Sequence, residues 1–198
     1  MTESPDGGGN GGTYDYAATY SAAYANPSYA MGSSRRADTL RHLTRIAAES
    51  PHPTRHLDVG TGRGEALDIG ESLGLASFGF EIVPSLLVPG RVFGMKDITD
   101  LGHVTADLVT CLDVLEHLER EKIPAALAEL WRVTTRRLLL SIAWFPSAMG
   151  GDLGDLHLTQ ECHRWWTPRI KAACRGGIIT VCEINERGKH GWWEITKT

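Results

Sequence analysis

The sequence lacks long hydrophobic runs, and no apolar stretch reaches the ~18 to 20 residues that a membrane-spanning helix needs. Its first residues are polar and glycine-rich, so we predict no secretory leader. It also lacks an excess of one charge, since 20 Lys and Arg stand against 24 Asp and Glu, a net charge of −4. This balance gives no overall attraction to nucleic acid or to an anionic membrane, although a local basic patch remains compatible with it.

Cysteine is scarce, with four in 198 residues, and no two of them form a C-x-x-C pair. Cys111 and Cys182 lie inside apolar runs that are typical of strands. Four cysteines would also fit two disulfides, but nothing else in the sequence indicates secretion. We therefore expect buried, reduced thiols and a cytoplasmic protein without a membrane partner.

The chain divides into a short tail and one domain. Residues 1–13 are rich in glycine and cannot bury enough apolar surface to offset the entropy of ordering, so we predict a disordered tail. The remaining 14–198 have the length and the apolar content of a single globular domain. All five tyrosines lie between Tyr14 and Tyr29, and a helix would place Tyr16, Tyr20 and Tyr24 in one stripe.

From residue 55 onward, short apolar runs alternate with helix-like stretches. The predicted strands are 56–59, 77–82, 91–95, 107–112, 137–143, 178–184 and 192–196, and the predicted helices are 64–75, 123–133 and 161–173. Such alternation favours a mostly parallel sheet that is covered on both faces. The stretch 84–90 has two prolines and permits one turn at most, whereas the short loop 185–191 allows a hairpin and an antiparallel last strand.

The segment H-L-D-V-G-T-G-R-G, residues 56–64, carries the strongest motif. An apolar strand ends in an acid and a glycine-rich turn opens a helix, and ligands of open parallel sheets bind beyond such strand ends. Dinucleotide sites prefer G-x-G-x-x-G, but here Glu65 stands where the third glycine belongs. Asp58 would repel a pyrophosphate, so the pattern favours a cationic ligand.

Further acids follow at the ends of the next strands. Glu81 comes 23 residues after Asp58, close to the ~20-residue interval at which an acid accepts hydrogen bonds from ribose hydroxyls. Asp97 and Asp113 follow at intervals of 16 residues each. Four successive strands therefore deliver a carboxylate near their C-terminal ends, which a pure packing pattern would not require. A solvated or capping role remains an alternative for Asp97.

The ordered set D-V-G-T-G-R-G, Glu81, Asp97-Ile98 and L-D-V-L-E-H at 112–117 resembles the motifs of class I S-adenosylmethionine (SAM)-dependent methyltransferases. The D-V-L-E-H-L segment resembles the branch that acts on small molecules. The resemblance extends from Tyr14 to Thr198. It implies an α/β fold, namely a Rossmann-like, seven-stranded, mostly parallel sheet with helices on both faces and an antiparallel last strand. SAM, which carries a sulfonium and an ammonium group, fits the cationic ligand expected above.

The resemblance also implies which residues bind SAM and its product S-adenosylhomocysteine. The methionine part would contact Asp58, Gly60, Thr61, Gly62 and Gly64, the ribose Glu81, and the adenine Asp97 and Ile98. Asp113 and Val114 would line the pocket, His117 would lie at its mouth, and Tyr20 and Tyr24 would belong to a lid formed by residues 14–34. A purely structural role for His117, or for the tyrosines as core, remains an alternative.

Residues 144–166 are expected to overhang the carboxyl edge of the sheet, where the methyl acceptor must enter. If the acceptor has to lose a proton, His117 and His157 are the candidate general bases, with Asp155 as an orienting partner. The set of Asp155, His157 and His163 fits no standard zinc spacing, so we predict no metal.

The function predicted is transfer of the SAM methyl group to an oxygen or nitrogen of a small-molecule acceptor. A second hypothesis is a nucleic-acid methyltransferase, which Arg35, Arg36, Arg41 and Arg45 could serve as a basic helix face. It is disfavoured because no D-P-P-Y-like or Pro-Cys segment is present. A third is a non-catalytic SAM-binding module, and a fourth, which the glycine spacing disfavours, is a nicotinamide-dependent oxidoreductase. Apolar strands near the C-terminus are compatible with a homodimer.

Overall fold

The computed structural model describes residues 14–27, 29, 32–147, 153–185 and 188–198. The predicted tail, residues 1–13, and part of the predicted acceptor segment, residues 148–152, lie outside the described residues. The strands are β1 (Arg55–Val59), β2 (Ala76–Glu81), β3 (Val92–Gly94), β4 (Ala106–Leu112), β5 (Thr134–Ala143), β6 (Gly177–Ile184) and β7 (His190–Lys197). The helices are α1 (Tyr16–Tyr24), α2 (Ser33–Ala47), α3 (Glu65–Ser72), α4 (Ile123–Val133) and α5 (His163–Ala173).

The seven strands form one sheet in the order β3-β2-β1-β4-β5-β7-β6. The pairs from β3 to β5 are all parallel, so the ends of β1, β2 and β4 meet at one edge. Strand β7 runs antiparallel to both β5 and β6, and it forms a hairpin with β6. The predicted fold class, a seven-stranded mostly parallel sheet with an antiparallel last strand, is confirmed.

Helices cover both faces of the sheet. On one face, Leu43 and Ile46 of α2 pack with Ile69 of α3 against β4, β5 and Trp192. On the other face, α4 and α5 pack against the same strands, with Leu127 and Trp166 among the buried residues. Strands β4 and β5 are buried almost throughout. This double cover explains why their sequences are continuous apolar runs rather than alternating ones.

The double cover also buries both Trp192 and Trp193, because each face of β7 carries helices. One sequence interpretation is corrected. We expected buried thiols, whereas Cys162 and Cys182 are exposed and Cys111 and Cys174 are buried, all four as free cysteines. Cys182 is exposed because it lies on β6, the edge strand of the sheet. In the described part of the chain, no helix is both long and apolar enough to cross a membrane.

The backbone conformation bears on two local predictions. The predicted helix 64–75 is shorter, since Gly64 has φ +86° before its start and Gly74 has φ +84° after its end. The stretch with two prolines forms a 3-10 turn at Pro84–Leu86, in agreement with the single turn expected there.

Helix α1 forms where the tyrosine stripe predicted it. Asp15 caps its N-terminus, since the Asp15 carboxylate accepts a hydrogen bond from Ala18 N at 3.0 Å. Its inward residues Tyr20 and Ala23 form a small cluster with Val83 and Leu156. The helix therefore lies over the carboxyl edge of the sheet, in contact with the loops rather than with the sheet faces.

Candidate cofactor and acceptor cavity

A cavity of about 430 Å³ opens at the carboxyl edge of the sheet, beneath α1. Its walls come from the loop after β1, the end of β2, the loops after β3 and β4, and the segment after β5. The carboxyl groups that line it are Glu65, Glu81, Asp97, Asp113 and Glu116, and its cationic side chains are Arg35 and Lys96. Carboxyl groups thus outnumber cations, and such a cavity favours a positively charged ligand.

The glycine-rich loop after β1 forms the floor of the cavity. Gly60 has φ +78°, and a Cβ there would lie 2.5 Å from Cγ2 of Val114. A Cβ at Gly62 would lie 2.5 Å from the Tyr24 hydroxyl. The loop is tied to β2, because Gly60 N and Thr61 N both donate to the carbonyl of Phe80, at 2.8 and 3.2 Å. Glycine is required here for conformation and for space.

The Glu81 carboxylate joins this loop to the end of β2. Its Oε2 accepts from Gly62 N at 2.8 Å, and its Oε1 accepts from Ile82 N and Val83 N at 2.8 and 3.0 Å. Burial raises the pKa of Glu81, against the lowering effect of these three hydrogen bonds. Each carboxylate oxygen can accept more than one hydrogen bond, so acceptor capacity remains toward the cavity that Glu81 lines.

Asp58 lies beneath the loop rather than on the cavity surface. It is 3% exposed, and its Oδ1 accepts a hydrogen bond from the Thr110 hydroxyl at 2.5 Å. Burial lowers the pKa of His56 to about 4, so its imidazole is neutral near pH 7. Because the Thr110 hydroxyl donates its proton to Asp58, its oxygen accepts a hydrogen bond from His56 Nε2 at 2.8 Å. Burial raises the pKa of Asp58 to about 7. Like Asp58, Gly64 does not line the cavity.

The adenine-side and central residues of the sequence prediction do line the cavity. Asp97 also caps its own loop, since it accepts from Thr99 N at 2.9 Å and from the Thr99 hydroxyl at 2.8 Å. Ile98 is buried beside it and contributes apolar wall. Val114 packs over Gly60 from the loop after β4. The structure therefore brings the ends of β1, β2, β3 and β4 to one cavity.

Asp113 is held by an ion pair that the sequence analysis missed. It has φ +54°, and its Oδ2 lies 2.7 Å from Arg35 Nε. Its Oδ1 accepts from the Ser141 hydroxyl at 2.8 Å and from His190 Nε2 at 3.1 Å. Burial alone would raise the pKa of Asp113, but the His190 hydrogen bond and the Arg35 charge outweigh it and hold the pKa at about 2. Asp113 is therefore an anchored carboxylate.

The predicted basic helix face is largely neutralised. Besides the Arg35 pair, Arg41 binds Glu183 at 2.7 Å, and Arg45 pairs with Glu49 and Glu194. The carboxylates that bind these three arginines come from other elements, since Asp113 follows β4, Glu183 lies on β6 and Glu194 lies on β7. The sequence pattern of α2 alone gives no information about those strands.

Three chemically active side chains that line the cavity, Glu116, His117 and His157, also lie close to one another. Glu116 is fully buried, and its Oε1 accepts from Ala143 N at 2.8 Å, while its Oε2 has no hydrogen-bond partner in the part of the chain that the structure describes. One carboxylate oxygen of Glu116 and one ring nitrogen each of His117 and His157 lie within 4.8 Å of one another. We call this trio the Glu-His-His cluster. Burial, and then the charge of Asp113, raise the pKa of Glu116 well above its usual range.

Both histidines of the cluster are oriented by backbone carbonyls. His117 Nδ1 lies 2.9 Å from the carbonyl of Leu156, and His157 Nδ1 lies 2.5 Å from that of Phe145. A carbonyl only accepts, so each Nδ1 carries a proton, and in the neutral imidazole each Nε2 keeps a lone pair. Burial, together with His157, lowers the pKa of His117 to about 4. His117 is therefore neutral near pH 7.

Comparison with known proteins identifies the family. A family described as "Methyltransferase domain" matches residues 31–177, about three quarters of the chain. The chain belongs to this family. The prediction of a methyltransferase is confirmed. No curated protein sequence matches the chain.

Solved structures of methyltransferases share the fold. An amino pentose methyltransferase from Micromonospora echinaspora with bound SAM has 21% identity and a TM-score of 0.65 over 96% of this chain and 100% of that one. Magnesium protoporphyrin IX methyltransferase from Synechocystis PCC 6803 with bound S-adenosylhomocysteine has 20% identity and a TM-score of 0.62, over 82% and 83%. A mitomycin 7-O-methyltransferase has 17% identity and a TM-score of 0.60, over 91% and 60%.

The tyrosine stripe of this methyltransferase roofs the cavity. Tyr16, Tyr20 and Tyr24 all line it. The Tyr20 hydroxyl lies 3.4 Å from the carbonyl of Leu156, and Tyr16 exchanges hydrogen bonds with Glu119. Arg63 of the glycine-rich loop fixes the C-terminal end of α1, since it donates to the Tyr24 carbonyl at 3.1 Å. The stripe lies where a lid was expected.

Two residues of the predicted acceptor segment, Asp155 and His163, do not line the cavity. Asp155 accepts from the backbone N of His157 at 3.0 Å and of Ser147 at 2.8 Å, so it shapes the segment and does not contact the imidazole of His157. His163 contacts Trp144 and does not line the cavity. Glu116 was missed as a site residue, although it stands beside His117 in the D-V-L-E-H segment.

Proposed function

We propose that this methyltransferase binds SAM in the cavity and transfers the methyl group to an oxygen or nitrogen atom of a small-molecule acceptor. The observation that carries the proposal is the acidic cavity floored by the glycine-rich loop and Glu81. SAM is cationic and carries two ribose hydroxyls, which matches a cavity with excess carboxyl groups and a Glu81 with acceptor capacity. SAM or its product is bound in neighbours of the same fold.

In this proposal the residues that line the cavity bind the parts of the cofactor that the sequence resemblance assigned to them. The loop at Gly60, Thr61 and Gly62 holds the methionine part, and Glu81 accepts from the ribose. Asp97 and Ile98 contact the adenine, and Asp113 and Val114 form the wall between cofactor and acceptor. Asp58 acts from below, by supporting the loop and by supplying negative charge under a cationic ligand. Tyr20 and Tyr24 close the roof.

The chain's own contribution to the reaction is chiefly alignment and exclusion of water. Bound SAM supplies an electrophilic methyl group, activated by its sulfonium. The tyrosine roof and the buried walls exclude solvent that would compete with the acceptor. Nε2 of His117 and Nε2 of His157 can each accept a hydrogen bond or a proton from the acceptor when the imidazole is neutral. His157 is positioned by Asp155 through its backbone.

Several observations favour a small acceptor over a nucleic acid. The cavity is small and roofed by α1, and three of the four arginines of α2 are engaged with carboxylates. The neighbours named above include methyltransferases of a porphyrin, of an amino pentose and of mitomycin. The four free cysteines support a reducing, cytoplasmic location. A homodimer through the exposed edge strand β6 remains part of the proposal.

The test is calorimetric titration of the purified chain with SAM and, in parallel, with NAD. We expect saturable binding of SAM and none of NAD. The product S-adenosylhomocysteine should compete with SAM for the same site. Binding of NAD without SAM would overturn the proposal in favour of an oxidoreductase. SAM binding that never yields S-adenosylhomocysteine with any hydroxyl or amine acceptor would favour a non-catalytic module.

A further inference from the structure

The Glu-His-His cluster has three properties of a cation site. It combines a carboxylate with two imidazoles whose ligand atoms lie within 4.8 Å of one another. Small side-chain rotations would bring these atoms to the ~2.0 to 2.2 Å at which nitrogen and oxygen bind a divalent ion. Oε2 of Glu116 has no hydrogen-bond partner among the described residues, although Glu116 is 0% exposed. A buried carboxyl oxygen without a partner is costly, and a cation that displaces the carboxyl proton would satisfy it.

The histidines are also oriented as metal ligands are. In metal sites, one ring nitrogen binds the ion and the other usually donates to a carbonyl or a carboxylate. His117 and His157 each use Nδ1 in this way, toward Leu156 and Phe145. This orientation leaves Nε2 of each imidazole as the atom available to a metal ion. Glu116 is fixed likewise, because Ala143 N holds its other oxygen.

We propose that Glu116, His117 and His157 bind one divalent transition-metal ion on the acceptor side of the cavity, and that this ion binds a hydroxyl oxygen of the acceptor. Two imidazoles and one carboxylate suit Zn²⁺, Fe²⁺ or Mn²⁺ rather than Mg²⁺, which prefers oxygen ligands. Three protein ligands leave coordination positions open for the acceptor. The second half of the proposal rests on the proposed methyltransferase function.

The proposed ion would activate a hydroxyl group of the acceptor. Coordination lowers the pKa of the bound hydroxyl, so its proton passes to solvent and an alkoxide or phenolate remains on the metal. That oxygen forms the new bond to the methyl carbon, the carbon–sulfur bond breaks, and sulfur keeps the electron pair. The acceptor is therefore a hydroxyl compound, and the histidines act as ligands rather than as general bases.

The experiment is calorimetric titration of Zn²⁺ into the tag-free, chelator-treated full chain without SAM. We expect one equivalent to bind. Glu116→Gln and His157→Gln should each weaken binding by more than the ~10- to 100-fold that loss of an outer-shell partner costs. The matched control is His103→Gln, the same change at an exposed histidine outside the cavity, which should leave Zn²⁺ binding unchanged.

SAM titration of the same preparations separates the two proposals. Both cluster variants should still bind SAM, which shows that they fold and that only the metal site is lost. If wild type binds SAM but no Zn²⁺, or if the cluster variants bind Zn²⁺ as wild type does, the metal proposal is overturned and the histidines remain candidate bases. Stoichiometric Zn²⁺ binding without any SAM binding would support the metal site and contradict the proposed function.

Discussion

The two ends of the cavity are built in different ways. The proposed cofactor end consists of backbone and of strand-end side chains within one stretch of chain, from Asp58 to Val114, in which Gly60 N donates to the Phe80 carbonyl and Gly62 N to Glu81. The proposed acceptor end joins distant parts of the chain, since Glu116 and His157 meet from loops after different strands. The roof, α1, is contributed by a third region. Local sequence therefore encodes the cofactor end, whereas the fold assembles the acceptor end.

The largest expected effect concerns Asp58, which lies beneath the glycine-rich loop, and the pH dependence of the unfolding free energy. The folded-state pKa of Asp58 is about 7, above its ordinary value of 3.8, so the folded chain binds this proton more tightly than the unfolded chain does. Stability from this proton is present at low pH and is lost as pH rises from 3.8 to 7. Relative to Asp58→Asn, wild type should lose roughly 4 kcal/mol of unfolding free energy over that range.

Urea denaturation without SAM at a series of pH values measures this difference. Asp100→Asn, at an exposed aspartate, is the control and should follow the wild-type pH dependence. Parallel profiles of wild type and Asp58→Asn would mean that Asp58 is not the buried, proton-binding support described here. The cofactor end would then owe its shape to the glycine-rich loop alone.

The next effect tests the loop itself. Gly60→Ala places a methyl group 2.5 Å from Val114 Cγ2 at a residue with φ +78°, and we expect SAM affinity to fall by at least ~100-fold, since backbone strain and the clash add. Gly74→Ala is the matched control, because Gly74 has φ +84° but nothing within 4 Å of a new Cβ. It should show only the conformational cost, ~1 to 2 kcal/mol of stability, with SAM affinity retained. Equal SAM affinity in both variants would refute the close approach.

A smaller loss is expected at Glu81. Glu81→Gln leaves one acceptor oxygen and turns an amide group toward backbone N–H donors, so SAM should bind about 10- to 100-fold more weakly, the range for one lost charged hydrogen bond. Calorimetry measures this. Glu121→Gln, at an exposed glutamate, should bind SAM as wild type does. Undiminished SAM affinity in Glu81→Gln would place the ribose elsewhere.

The smallest expected effect concerns the roof that both ends share. Removing residues 1–30 deletes the tyrosine stripe and should weaken SAM binding by about tenfold, because the cavity then opens to water and loses aromatic contacts. Removing residues 1–13 alone retains α1 and should have no effect. If both truncations bind SAM like the full chain, α1 is packing rather than a lid.

Sequence reasoning predicted the fold, and it predicted that the ends of β1 to β4 meet at one edge, for a physical reason. Strand periodicity, the spacing of strand-end acids and a turn that only glycine can form are local constraints. Even there, the sequence placed Asp58 on the cavity surface, whereas the structure shows it bonded to Thr110 beneath the loop. Whether a strand-end acid faces the ligand or the core depends on the neighbouring strand, which the local pattern does not contain.

By itself, the sequence determined the parallel sheet, the glycine-rich floor and the acids at the strand ends, because each follows from neighbours within a few residues. Only the tertiary structure decided that Arg35 neutralises Asp113 and that Glu116 and His117 meet His157. These contacts join side chains tens of residues apart. They exist because parallel strands bring their ends to one edge, and because the segments that follow β4 and β5 pack there against α1.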